Sequence, residues 1–147
     1  MELIDNAKEE LKRSDHLIYV SLKYTRTCDI IMNTILRMIE SFDFLNLALL
    51  EHLKEKKKIP EIPSSALNRA ELLNELDKKY KSFMKLYMLM NKIKSAEFDR
   101  REEYRKHVTM IVHLDRKELE ITVPVLQEYF EKTKEFVTFV EEEISWL

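Results

Sequence analysis

The 147-residue sequence contains no glycine. A Rossmann fingerprint, a P-loop and a GxSxG nucleophile elbow each require glycine, because the backbone must approach a phosphate closely or turn with positive φ. The absence of glycine excludes all three motifs. It also disfavours meanders of tight β-hairpins, which commonly use Asn-Gly or Gly-X turns. We therefore expect a mainly helical protein.

The sequence has a single cysteine and shows neither a signal-peptide pattern nor a long apolar run. The single cysteine, Cys28, cannot form an intramolecular disulfide, which fits a reducing cytosol. Because Cys28 lies among apolar residues of a helical pattern, we expect it to be buried rather than reactive. The N-terminal segment has no apolar stretch typical of a signal peptide, and charged residues interrupt every apolar run, which argues against a membrane span. The sequence therefore predicts a cytoplasmic protein without a membrane partner.

Charge of either sign is abundant but balanced, with 27 acidic and 25 basic residues and a net charge of −2. This balance opposes strong non-specific binding to nucleic acid or anionic membrane, which depends on a large positive excess. A basic patch confined to one part of the surface is compatible with this overall balance of charge. The twenty glutamates and seventeen lysines, together with the lack of glycine, suggest a thermophile or an AT-rich genome.

Apolar residues recur at helical spacing in the first half of the chain. Residues 2–13 predict a short amphipathic helix or the start of a longer one. A helical stripe that includes Tyr24 runs from Leu17 to Phe42, with a candidate break at residues 41–43. A second helix continues to the lysine run, where cations suit the negative end of a helix; this run comprises Lys54, Lys56, Lys57 and Lys58.

The second half opens on a loop at residues 59–65, where two prolines block a helix and serines can cap the next one. A long helix is predicted from about Ala66 to about Ala96. Pro124 is placed to open a last helix, since proline is tolerated in the first turn. The chain ends in Trp146 and Leu147, which we expect to be packed or at a subunit contact.

Residues 107–123 show a different period. Apolar and polar side chains alternate, many of them β-branched, which favours a β-hairpin turning at residues 115–117. The alternative is a helix that continues through Tyr104, Val108, Ile111 and Val112. The predicted fold is thus mainly α: an antiparallel bundle of four or five helices with a small β-hairpin before the last helix. We expect a single domain, 1–147, with sub-parts 1–106, 107–123 and 124–147.

The densest polar cluster is residues 99–107, DRREEYRKH. It fits a solvated helical turn with ion pairs such as Glu102 with Lys106, or a phosphate site. Arginine can bind a phosphoryl oxygen with two donors, and a neutral histidine can accept a proton near neutral pH. Attack of an RNA 2′-hydroxyl on its own phosphate needs both groups and no metal. If residues 98–107 were helical, Arg100 and His107 would share a face and Arg101 would be rotated away.

A second basic segment, residues 23–27, places Lys23 and Arg26 around Tyr24. Such a mixture can contact a nucleic-acid backbone. The alternative is an ordinary helix with Tyr24 in the core and both cations in solvent. For metals, Glu103 and His107 stand four residues apart, but one such pair supplies only two ligands and no second pair is evident. We therefore predict no metal and no cofactor.

The chain is predicted to contain two long helices that pack through aromatic and leucine side chains, then a polar loop with proline, another long helix, and an arginine followed by a histidine. This order of elements resembles the HEPN superfamily of small helical domains. The family motif is Arg, four to six residues, then His. Arg101 and His107 match it with five intervening residues, and Arg100 and His107 with six. The resemblance covers roughly residues 15–113.

The resemblance implies a ribonuclease site with His107 as the base and Arg101 or Arg100 as the phosphate ligand. It also implies that two chains pair to form the cleft, and a nucleotidyltransferase partner is frequent in the family. Arg105 and Lys106, with Lys23 and Arg26 of the other basic segment, are the predicted RNA contacts. The competing hypothesis is a non-catalytic interaction module that pairs with itself or with a partner protein through apolar helix faces.

Overall fold

A computed structural model describes residues 2–145. The chain begins with α1 (Glu2–His16), which continues through a π-helical turn (Leu17–Ser21) into a short helix, α2 (Leu22–Tyr24). The N-terminal helix is therefore the start of a longer one, not a separate short element. The buried Ser14 hydroxyl donates to the Glu10 carbonyl oxygen at 3.0 Å within this helix.

The long third helix, α3, spans Cys28–Glu55 without a break at residues 41–43. The prediction of one helix from Leu17 to Phe42 is wrong at residues 25–27. There Thr27 adopts an extended backbone, and its side chain accepts a hydrogen bond from the Ile30 N–H as the N-cap of α3. The placement of Tyr24 in the core is also wrong, since Tyr24 is 84% exposed.

The C-terminus of α3 ends in a Schellman motif. The Lys57 N–H donates to the Lys54 carbonyl at 2.9 Å, and the Lys58 N–H donates to the Leu53 carbonyl at 2.8 Å. Lys57 has a φ of 61°, a left-handed conformation that glycine usually supplies. Because the chain has no glycine, a lysine adopts this unfavourable conformation here.

The predicted long helix from Ala66 to Ala96 is divided in two. Helix α4 (Ala66–Leu76) begins after Ser65, whose hydroxyl accepts from the Asn68 N–H at 3.1 Å. Asp77 interrupts the helix in an extended conformation, and its carboxylate accepts from the Lys79 N–H at 3.0 Å. A 3-10 turn (Lys78–Tyr80) then leads into α5 (Lys81–Ser95).

A three-stranded antiparallel sheet follows, in the order β1-β2-β3. Its strands are β1 (Phe98–Arg101), β2 (Thr109–Leu114) and β3 (Lys117–Thr122). The predicted hairpin corresponds to β2 and β3, and the helical alternative is wrong. A hairpin alone is also wrong, because β1 adds a third strand along β2.

The last helix, α6 (Val123–Ser145), has Pro124 in its first turn, as predicted. The Thr122 hydroxyl accepts a hydrogen bond from the Val125 N–H at 3.2 Å and so caps it. The prediction for Trp146 and Leu147 lies outside the described residues. Among residues 2–145, no helix is both long and apolar enough to cross a membrane.

One continuous hydrophobic core joins the helices to the inner face of the sheet. At its centre Phe136 of α6 stacks on Phe42 of α3, with ring centroids 4.8 Å apart. The sheet contributes Met110, Val112 and Ile121, all fully buried. The mainly helical fold class is confirmed.

Candidate nucleic-acid interface

Two loops that are distant in sequence meet beside the N-terminus of α3. One joins α2 to α3 at residues 25–27, and the other joins β1 to β2 at residues 102–108. The Tyr104 N–H donates to the Arg26 carbonyl at 2.6 Å. The Glu103 carboxylate accepts from the Cys28 N–H at 2.9 Å, and its negative charge faces the positive end of the α3 dipole. These two bonds hold the loops together.

The β1–β2 loop contains two left-handed residues that are not glycine. Glu102 has a φ of 59° and Tyr104 a φ of 67°. Each such residue costs on the order of 1 kcal/mol or more. The bonds to Arg26 and Cys28 offset this cost and fix the direction in which residues 104–107 leave the sheet.

The two arginines of the predicted motif are engaged by carboxylates. Arg100 binds Asp29 at 2.8 Å and Glu103 at 3.1 Å, and its hydrogen bond lowers the pKa of the Asp29 carboxyl. Arg101 binds Glu120 of β3 at 2.7 Å. Because residues 98–101 form a strand, the helical face expected to carry Arg100 and His107 does not exist.

His107 instead lines a pocket of about 440 Å³. Three of the four predicted RNA contacts, Lys23, Arg26 and Lys106, line the same pocket. The pocket lies between the π-helical turn, the β1–β2 loop and the start of α6. Its lining residues are Ile18, Tyr19, Leu22, Lys23, Arg26, Lys106, His107, Val123, Pro124 and Gln127. No acidic residue lines it. The fold thus brings together two basic segments about eighty residues apart in sequence.

The cations of this pocket have no acidic partner in the part of the chain that the structure describes. None of the ion pairs formed there involves Lys23, Arg26 or Lys106. Lys23 and Lys106 are exposed, and Arg26 is half-buried. Arg105, next to the pocket in sequence, is also exposed. Despite the net charge of −2, this region gathers four cations, Lys23, Arg26, Arg105 and Lys106, that form none of these ion pairs.

Exposed tyrosines accompany these cations. Tyr104 is 76% exposed and Tyr24 is 84% exposed, while Tyr19 at the pocket wall is 43% exposed. Sequence reasoning missed Tyr19, Tyr104 and Gln127 as candidate site residues. The available signal was Tyr104 itself, an aromatic residue inside the most polar stretch of the chain.

Cys28 beneath the loops has a packing role, as predicted. It is fully buried, and its thiol donates to the Thr109 carbonyl at 3.3 Å. Burial raises the pKa of the Cys28 thiol, which keeps the sulfur protonated and unreactive. Within residues 2–145, no group of three or more histidine, cysteine, aspartate or glutamate side chains is arranged to hold a metal.

Comparison with protein-family models, curated proteins and solved structures gave no match. The resemblance to the HEPN superfamily therefore stays a prediction.

Proposed function

We propose that this chain binds single-stranded RNA across the pocket and the two loops that border it. One observation carries the proposal: Lys23, Arg26, Lys106 and His107 converge on a single pocket with no acidic residue in its lining. A pocket with this charge attracts phosphate groups, whose neutralisation releases counterions and favours binding.

The tyrosines favour a single strand over a duplex. Tyr24 and Tyr104 expose most of their surface, and exposed aromatic rings stack on bases that are free of a partner strand. In a duplex the bases are stacked on one another and such rings gain little. The combination of basic side chains and exposed tyrosines is typical of proteins that follow a single strand.

The test is the affinity for a fluorescently labelled single-stranded oligoribonucleotide, measured by anisotropy. We expect the triple variant Lys23→Ala, Arg26→Ala, Lys106→Ala to bind roughly 10- to 100-fold more weakly at 0.1 M salt. Losing three phosphate contacts also makes the negative slope of log affinity against log salt shallower by about 2, since each contact on a single strand contributes about −0.7.

A matched control comes from the lysine run after α3. The variant Lys54→Ala, Lys56→Ala, Lys58→Ala removes the same charge from exposed positions outside the pocket and should keep near-normal affinity. Equal losses in the two triple variants would show that only net charge matters. Absence of RNA binding by the wild type would overturn the proposal and favour the non-catalytic interaction module.

RNA cleavage is a second candidate, and it rests on His107 sharing the pocket with three cations. In this arrangement His107 would accept the 2′-hydroxyl proton as the 2′-oxygen attacks the adjacent phosphorus, and Arg26 would stabilise the phosphate charge in place of Arg100 or Arg101. The bond from phosphorus to the 5′-oxygen would break, the 5′-oxygen would take a proton from water, and a 2′,3′-cyclic phosphate would result. Metal-independent cleavage, measured with a chelator present, should be lost in His107→Ala while RNA binding is largely retained. Cleavage that survives this substitution would exclude His107 as the base.

A further inference from the structure

We infer that the pocket receives one unpaired nucleobase of the bound strand, with its flanking phosphates on the basic rim. This inference rests on the proposed function and names what the interior of the same site accepts. Binding of phosphate groups by the cations at the rim would require only a flat surface, not a pocket. The volume and the mostly apolar lining of the pocket call for a further ligand group.

The pocket is lined mostly by apolar surface. Ile18 and Leu22 are buried on one side, and Val123 and Pro124 at the start of α6 form another wall. A volume of about 440 Å³ falls within the range of small-ligand pockets. A base entering it would exchange water for apolar contacts on its faces.

Gln127 supplies the polar group that a base edge requires. It lies on α6 about one turn after Val123, is half-buried and lines the same pocket. A carboxamide carries both a donor and an acceptor, so it can pair with the adjacent donor and acceptor on one edge of a base. The Tyr19 ring at the pocket wall adds a stacking surface.

The cations stand where the backbone of such a nucleotide would leave the pocket. Lys23 and Lys106 are exposed, while the apolar residues Ile18 and Leu22 are buried. The site is therefore apolar inside and positive at its mouth. That polarity matches a nucleotide, which has an uncharged ring at one end and a negative phosphate at the other.

The experiment compares two strands of equal length: an oligoribonucleotide and an abasic strand with the same sugar–phosphate backbone. We expect wild type to bind the base-containing strand at least roughly tenfold more tightly. Gln127→Trp, which fills the pocket, should lower the affinity for the base-containing strand far more than the affinity for the abasic strand, and so remove most of this difference. Gln127→Leu, similar in size but without hydrogen bonds, should reduce the difference and alter the preference among bases.

The control is Glu128→Trp, which places the same bulk on an exposed neighbouring position of α6 outside the pocket lining. Thermal unfolding of each variant establishes that it is folded. A wild-type preference for bases that is unchanged in Gln127→Trp overturns this inference alone and assigns base recognition to the exposed tyrosines. Failure of both strands to bind wild type overturns the proposed function together with the inference.

Discussion

The backbone N–H of Tyr104 donates a hydrogen bond of 2.6 Å to the carbonyl oxygen of Arg26. This bond joins the loop after β1 to the loop before α3, and each loop brings its own cations to the pocket. Tyr104 makes the bond from a left-handed conformation, with a φ of 67°. The geometry of the basic pocket thus depends on a backbone conformation that is unfavourable for tyrosine.

Replacing Tyr104 with glycine should separate stability from binding. Glycine adopts positive φ without strain, so we expect the free energy of unfolding to rise by about 0.5 kcal/mol, after the larger entropy of the unfolded chain is subtracted. RNA affinity should fall about fivefold or more, because the exposed ring is lost. Denaturant unfolding and anisotropy measure the two effects.

Glu102→Gly is the matched control: it relieves similar backbone strain and should not weaken RNA binding. A Tyr104→Gly variant with full affinity would contradict a role for this ring.

Removing the Glu103 carboxylate should loosen the junction between the two loops. Glu103 accepts from the Cys28 N–H and from Arg100, and hydrogen bonds to charged groups contribute about 1.5–3 kcal/mol. We expect Glu103→Ala to lower the free energy of unfolding by about 1–2 kcal/mol and to weaken RNA binding as well. Glu102→Ala, at the exposed neighbouring position, should change stability by less than about 0.5 kcal/mol. Equal effects of the two substitutions would show that the carboxylate bonds do not hold the loops.

Lys57 at the end of α3 provides a stability prediction independent of the RNA site. With φ at 61°, this lysine occupies the position that glycine prefers in a Schellman motif. We expect Lys57→Gly to raise the free energy of unfolding by about 0.5–1 kcal/mol in urea denaturation. Lys56, whose φ is −82°, gives the control: Lys56→Gly relieves no strain and should be neutral or destabilising. The reverse order of the two variants would contradict the assignment of strain to Lys57.

His113 links the three strands through their side chains. Its Nε2 lies 2.8 Å from an Asp99 oxygen on β1, and its Nδ1 lies 3.2 Å from a Glu118 oxygen on β3. The hydrogen bond with Asp99, followed by the charges of the nearby carboxylates, raises the pKa of His113 above 6.5. Because the folded state binds the proton more tightly, this contribution to stability is present below pH 6.5 and is lost as the pH rises through the folded pKa.

The measurement is an NMR titration of the His113 ring together with unfolding at pH values on both sides of that range. His113→Gln should reduce the loss of stability with rising pH and have little effect where wild-type His113 is already neutral. A ring that titrates at or below 6.5 would contradict the proposed link between the strands.

Local patterns predicted the elements whose periodicity extended over many residues. The β2–β3 hairpin followed from alternation, and α6 followed from its apolar stripe behind Pro124. Strand β1 had no such signal, because Phe98 is its one apolar residue and the strand lies at an edge. The breaks at Thr27 and Asp77 depend on single side chains that cap the next helix, while the apolar spacing continues across both.

Local sequence motifs pointed to the cations and to His107 of the candidate site, but not to their grouping and not to Tyr19, Tyr104 or Gln127. Arg100 and His107 are close in sequence, yet Arg100 is held by Asp29 at the start of α3. Lys23 and Arg26 join His107 through a tertiary contact between loops. Sequence spacing carries no information on such a contact, which depends on how β1 and α3 pack.

The central claim is the location of the RNA site, and backbone amide shifts in an NMR titration with a short single-stranded oligoribonucleotide test it most directly. We predict that the largest shifts cluster at residues 19–26, 104–107 and 123–127, with little change at the lysine run of residues 54–58. Shifts centred on that lysine run, or none anywhere at saturating RNA, would contradict the assignment of the pocket as the binding site.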